Sequence, residues 1–136
     1  MPQVTINYLA VLIAGVINMA IGMFWYSPAL FAKPWLVALG KTPEDIKQSS
    51  AGPIYVINTV ASLVTAYVLA MFIKMLNETT AIGGAKIGVW VWLGFVVMTV
   101  LPTYLYEMRP KKLYFIYISY QLISFIIMGI VLAIWV

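Results

Sequence analysis

Twenty mostly apolar residues from Ile87 to Tyr106, closed by Glu107-Met108-Arg109-Pro110-Lys111-Lys112, constrain this chain more than any other stretch. At about 1.5 Å of rise per residue they cover about 30 Å, the thickness of a bilayer's hydrocarbon core. The run reads as a membrane helix with its charged stop. Three further apolar runs, at residues 4–26, 54–76 and 113–135, read the same way. The first has no Lys or Arg before it and ends in Trp25-Tyr26, so it is expected to be retained as a span and not cleaved as a signal peptide.

Composition agrees. Of 136 residues 64% are hydrophobic and 9% charged, and the mean hydropathy is +1.00. A soluble domain carries about 25% charged residues, so a water-soluble reading is excluded. The chain has no cysteine and no histidine. Disulfides, thiolate chemistry, imidazole metal sites and His-dependent acid/base catalysis fall together. No cofactor or metal is implied.

The expected fold is all-α: a polytopic membrane protein with its four transmembrane helices in an up-down bundle, one domain over residues 1–136. The first loop, 27–52, is too apolar to be a free linker. Phe31, Trp35, Leu36 and Leu39 alternate with Lys33 and Lys41, which predicts a short interfacial helix. Thr42-Pro43-Glu44-Asp45 then supplies a cap, a proline and acids for a short polar helix that Gly52-Pro53 ends. Residues 77–86, with Glu78 and Gly83-Gly84, read as a tight turn that makes its flanking spans antiparallel. Gly84 and Gly88 form a G-x-x-x-G at the mouth of the third span, a pattern common by chance. Pro102 lacks a backbone donor and should bend that span near Met98, with Thr99 and Thr103 able to absorb the damage.

Polar residues recur inside the spans at helical spacing. Asn7, Val11, Ala14, Asn18, Gly22 and Trp25 share one face of the first. Asn58, Ser62 and Thr65 share a face of the second, and Gln121 and Ser124 continue a face of the fourth that runs from Tyr117 to Met128. Since oil does not solvate amides and hydroxyls, these stripes are expected to face one another. The alternative is that Asn18, Asn58, Ser62, Thr65, Thr99, Gln121 and Ser124 line a solute path. Glu107 and Arg109 read as a boundary ion pair. Trp25, Tyr26, Trp35, Tyr104 and Tyr114 read as interfacial anchors.

Basic residues set orientation. Lys33, Lys41, Lys47, Arg109, Lys111 and Lys112 lie on one side and only Lys74 and Lys86 on the other, which favours residues 27–52 and 107–112 in the cytoplasm of a cell-membrane protein, with both termini outside. Such juxtamembrane charge is a topology signal, and no nucleic-acid partner is implied.

Three functions fit. An interaction or structural module, self-associating or joined to a larger membrane complex, needs no chemistry and explains the stripes. An oligomeric transporter or channel for a small neutral or weakly polar solute would use them as a path, although no ionisable residue lies deep in a span. A membrane-embedded enzyme acting on lipid has only Glu107, beside Arg109 and several tyrosines, as a poised acid.

Several strings in order resemble one family: Asn7-Tyr8-Leu9-Ala10-Val11, Trp25-Tyr26-Ser27-Pro28 with Lys33-Pro34-Trp35, Trp92-Leu93-Gly94-Phe95, and Tyr104-Leu105-Tyr106-Glu107-Met108-Arg109-Pro110. Together they resemble domain of unknown function 1761, a family of small prokaryotic membrane proteins. The resemblance implies four spans and no assigned activity. It also implies a polar Asn near Pro102 and Thr103 and a His where Gln121 stands, so a proton-linked role is weaker here because an amide cannot titrate.

Overall fold

The computed structural model describes residues 4–27, 30–41 and 51–135, and among these every regular element is helical. Helix α1 is Tyr8–Trp25, α2 Ala32–Leu39, α3 Ala51–Met75, α4 Ala81–Tyr106 and α5 Lys111–Ile134. All but α2 are long and apolar enough to cross a membrane.

Local chemistry sets the ends. Asn7 precedes α1, and its side-chain oxygen accepts the N–H groups of Leu9 and Ala10, both at 3.1 Å. It is therefore a cap and not part of an interhelical stripe, because two orphan donors at the helix start outcompete any distant partner. Helices α2, α3 and α4 all close alike. Gly40, Asn77 and Met108 take left-handed backbone (φ 71°, 54° and 53°), and the next residue's N–H returns to the carbonyl five positions back, on Leu36, Ile73 and Tyr104. Glycine and asparagine suit that conformation; Met108 holds it at a cost of about 1 kcal/mol.

Two expected boundaries move. Helix α3 starts at Ala51, so Gly52 and Pro53 open it and do not end a preceding element; a proline in the first turn loses no hydrogen bond. The polar helix expected to begin at Thr42-Pro43-Glu44-Asp45 lies outside the described residues. Helix α4 starts at Ala81 and not at Ile87, which makes Gly83 and Gly84 helical. The turn between α3 and α4 shrinks accordingly, and Thr80 becomes the cap: its hydroxyl oxygen accepts from the Gly83 N–H at 3.0 Å and its own proton goes to Glu78 at 2.6 Å. The Glu78 carboxylate also accepts the backbone N–H groups of Thr80 and Thr79 at 2.9 and 3.1 Å.

The Thr80 hydroxyl, then its N–H, holds the Glu78 carboxyl below the usual glutamate range. A carboxyl that titrates lower when folded stabilises above its unfolded pKa, and the benefit is lost as pH falls through the folded value. The protection of the Gly83 and Gly84 amides in detergent, taken relative to the intrinsic exchange rate at each pH, is therefore expected to fall on acidification below about pH 4. Glu78→Gln should flatten that dependence, and an unchanged pH profile would refute the cap.

Helix α5 is the centre of the bundle. It packs against α1, α3 and most extensively α4, while α1 also packs on α3. The core is built from small and medium side chains, among them Ala10, Ala14, Ala66, Ala70, Met128, Leu132 and Ala133. Closest approach falls between α4 and α5: a Cβ on Gly84 would strike the Gly129 carbonyl, one on Gly129 the Gly84 carbonyl, and one on Gly88 the Phe125 carbonyl. The G-x-x-x-G is thus used in full, since starting α4 at Ala81 brings both glycines inside the helix. Consecutive helices α3 and α4, by contrast, barely touch and leave a cleft between them.

Pro102 sits inside α4 as expected, but the disturbance is larger and earlier than a bend at Met98. Residues Leu93–Val97 widen into a π turn, with Met98 N–H reaching back to the Leu93 carbonyl. A widened turn one step before a proline redistributes carbonyls that would lack donors. The Tyr114 hydroxyl, reaching over from α5, donates to the Val97 carbonyl at 2.8 Å.

Candidate functional site

Where α1, α3 and α5 meet, one amide gathers the interior polar groups. Asn18 Nδ2 donates to Ser62 Oγ at 2.9 Å, and Asn18 Oδ1 accepts from the Tyr120 hydroxyl at 3.1 Å and from the Ser124 hydroxyl. Asn18, Ser62 and Ser124 are buried. The approach is permitted by Gly22, one turn after Asn18, where a Cβ would press on the Tyr120 ring at 3.1 to 3.3 Å. Among the described residues no buried side-chain nitrogen or oxygen lacks a partner. A network in which each buried polar atom already has a partner ties the helices together and leaves little for a passing solute to bond.

Of the sequence-predicted residues, only Asn18, Ser62 and Ser124 meet in this knot. Thr65 turns its hydroxyl to the Ala61 carbonyl on its own helix at 2.8 Å. Thr99 does likewise with Phe95 at 2.5 Å and is exposed. Gln121 donates to the Tyr117 hydroxyl, one turn back on α5, at 3.1 Å, and so does not join spans. Asn58 is exposed on α3 and, among the described residues, has no hydrogen-bond partner. The expectation that it faces inward is corrected: the first turns of α3 stand clear of the other helices, with Ile54, Tyr55, Val56 and Ile57 more than half exposed.

The boundary ion pair is also corrected. Glu107 and Arg109 are both exposed and, among the described residues, form no ion pair; the Arg109 guanidinium carbon lies 4.5 Å from the centre of the Tyr104 ring. The reversal of the chain at Met108 turns the two side chains apart, and a cation over a ring face is the contact left to it. Tyr114 is buried and hydrogen-bonded, so it is a packing residue and not a surface anchor. Trp25 is half-buried with its ring N–H on the Ile116 carbonyl at 3.0 Å and its ring 4.9 Å from Phe31. Tyr26 meets Trp35 at 4.9 Å and Tyr120 at 6.0 Å, which seats α2 against the bundle.

Tyr120 and Trp92 escaped the sequence reading. Trp92 gives its ring N–H to the Ile118 carbonyl at 2.8 Å, tying α4 to α5. Tyr120 stands four residues before Ser124 and hence on the same face, a signal masked by the aromatic band around it.

The cleft between α3 and α4 is the other large feature. Its wider part, about 470 Å³, is lined by Phe72, Met75, Leu76, Ile87, Trp90 and Phe95 among others, with no polar atom on its walls. A narrower part of about 260 Å³ continues toward the middle of α3, past Val68 and Thr65, with Phe125 behind. Among the described residues no group of His, Cys, Asp and Glu could hold a metal ion.

Four long apolar helices, three of them joined by a polar knot, define the class: an all-helical protein whose helices are long and apolar enough to cross a membrane four times. The chain belongs to the family described as "Protein of unknown function (DUF1761)", whose sequence profile matches residues 9–133. No curated protein and no solved structure matches it.

Proposed function

We propose that this protein is a membrane interaction module that self-associates within the cell membrane, and that it is neither a conduit nor a catalyst. The observation that carries the reading is the closure of the Asn18 knot. The buried side chains of Asn18, Ser62 and Ser124, with Tyr120, are bonded to one another across α1, α3 and α5, while an amide at bilayer depth, Asn58, is left on the outer surface. A closed interior with a polar exterior site is the pattern of a helix bundle that meets other helices. The described basic residues fit an orientation with Lys33, Lys41, Arg109, Lys111 and Lys112 in the cytoplasm and the α3–α4 turn outside.

The test is the mass of the detergent-solubilised protein by light scattering over a range of protein-to-detergent ratios, beside solute flux in liposomes. A defined oligomer without flux is expected. A monomer at every ratio, or flux abolished by Asn18→Leu in a protein that still folds, would overturn the reading.

A further inference from the structure

The outer face of α3 repeats with a regularity that its packing inside the bundle does not use. Asn58, Ala61, Thr65, Val68, Phe72 and Met75 follow at steps of three, four, three, four and three. Asn58, Ala61, Val68 and Phe72 are exposed, and Thr65 and Met75 partly so. This is the a/d spacing of a two-stranded coiled coil, sustained over about 25 Å of helix, with one polar Asn at an a position. The bundle core takes a different face, through Ser62, Ala66, Leu69, Ala70 and Ile73.

We infer that this stripe is the seat of a second copy of the chain, whose α3 lies parallel to the first across a two-fold axis normal to the membrane. The inference rests on self-association as proposed above and names its interface. Three observations select the occupant. An asparagine amide carries both a donor and an acceptor, so Asn58 facing Asn58 of the second copy satisfies both groups, whereas acyl chains satisfy neither. Only an axis along the membrane normal keeps both copies in the same topology, and that axis brings each a position onto itself and each d position onto itself, as this spacing requires. Ala61, one turn from Asn58, is small enough to let the two backbones approach where the amides must meet, and Thr65 has already spent its hydroxyl on Ala61. The cleft adds concavity beside the stripe. Phe72 lines both of its parts, and Thr65 and Val68 line the narrower one, so the stripe forms one wall of a groove open to a further helix.

The chain contains no cysteine, so single cysteines can be placed without background. In native membranes under a lipid-permeant oxidant, Ala61→Cys and Val68→Cys are expected to form disulfide-linked dimers, since d positions of parallel partners lie within bridging distance. Val56→Cys and Val60→Cys, exposed on the same helix but off the stripe, are expected to stay monomeric. Asn58→Val should weaken the dimer about tenfold, the size of one interhelical amide contact at the strong end of its range. Because these positions are exposed, the substitutions leave the bundle core untouched. An oligomer by light scattering whose cross-links ignore the stripe would overturn this interface and leave self-association standing. A monomer by both measures would overturn both.

Discussion

Gly84→Leu is expected to part the two most extensively packed helices of the bundle and to leave a protein that inserts but does not hold its native contacts. At this crossing backbone meets backbone. A Cβ at Gly84 would enter the Gly129 carbonyl and come within 2.7 Å of the Ala133 Cβ, and no rotamer can relieve a clash with a carbonyl. Overpacking costs about 1 to 3 kcal/mol where side chains can yield, so Gly84→Ala belongs at the upper end and Gly84→Leu beyond it. Gly129→Ala meets the same obstacle from the other side. The double variant Gly84→Ala with Gly129→Ala should cost clearly less than the sum, because one separation of the helices relieves both clashes. Gly94→Ala is the control. Nothing lies within 4 Å of its Cβ position, so it is expected to be neutral or to gain a few tenths up to about 1 kcal/mol. Unfolding in mixed micelles measures all five, and strict additivity of the double variant would show that no such crossing exists.

Asn18→Leu should destabilise the bundle by about 2 kcal/mol, three interhelical contacts at about 0.6 kcal/mol each with some cost for stranded partners. Ser62→Ala and Ser124→Ala each remove one contact and should cost less than half as much. Gln121→Leu, at the other inward-read amide, should cost least, because that amide bonds only Tyr117 on its own helix. The ranking, more than any single value, is the test. Equal costs for Asn18 and Gln121 would mean that the knot does not hold α1, α3 and α5 together.

Much of this architecture is readable from residue spacing, because a bilayer leaves a chain few choices. Hydropathy and length alone locate four crossings, and Asn18, Ser62 and Ser124 are found by asking which polar groups share a helical face. The failures have a common origin. Periodicity ranks the faces of one helix but does not say which neighbour will cover them, so Asn58 and Ser62, four residues apart, looked equivalent although only Ser62 lies where α1 crosses. Asn7, Thr65 and Thr99 bond locally instead of across helices, because a hydroxyl or amide near its own backbone finds a partner there before it finds one across a gap. The early start of α4 was hidden by Gly83-Gly84, which read as a loop signal until their service as a contact surface was visible. The π turn left no trace in composition; Pro102 marked the region, but not the widened turn at Leu93–Val97 or the Tyr114 hydroxyl that bonds the Val97 carbonyl from another helix.

The central place of α5 bears on how the molecule is made. A ribosome delivers α1, α3 and α4 before the segment that contacts all three, and α3 and α4 scarcely meet without it. During synthesis α1 and α3 can already clasp each other through Asn18 and Ser62, whereas α4 enters the bilayer with Gly84 and Gly88 bare. Until the final helix emerges, the nascent chain therefore lacks the surface that covers Gly84 and Gly88.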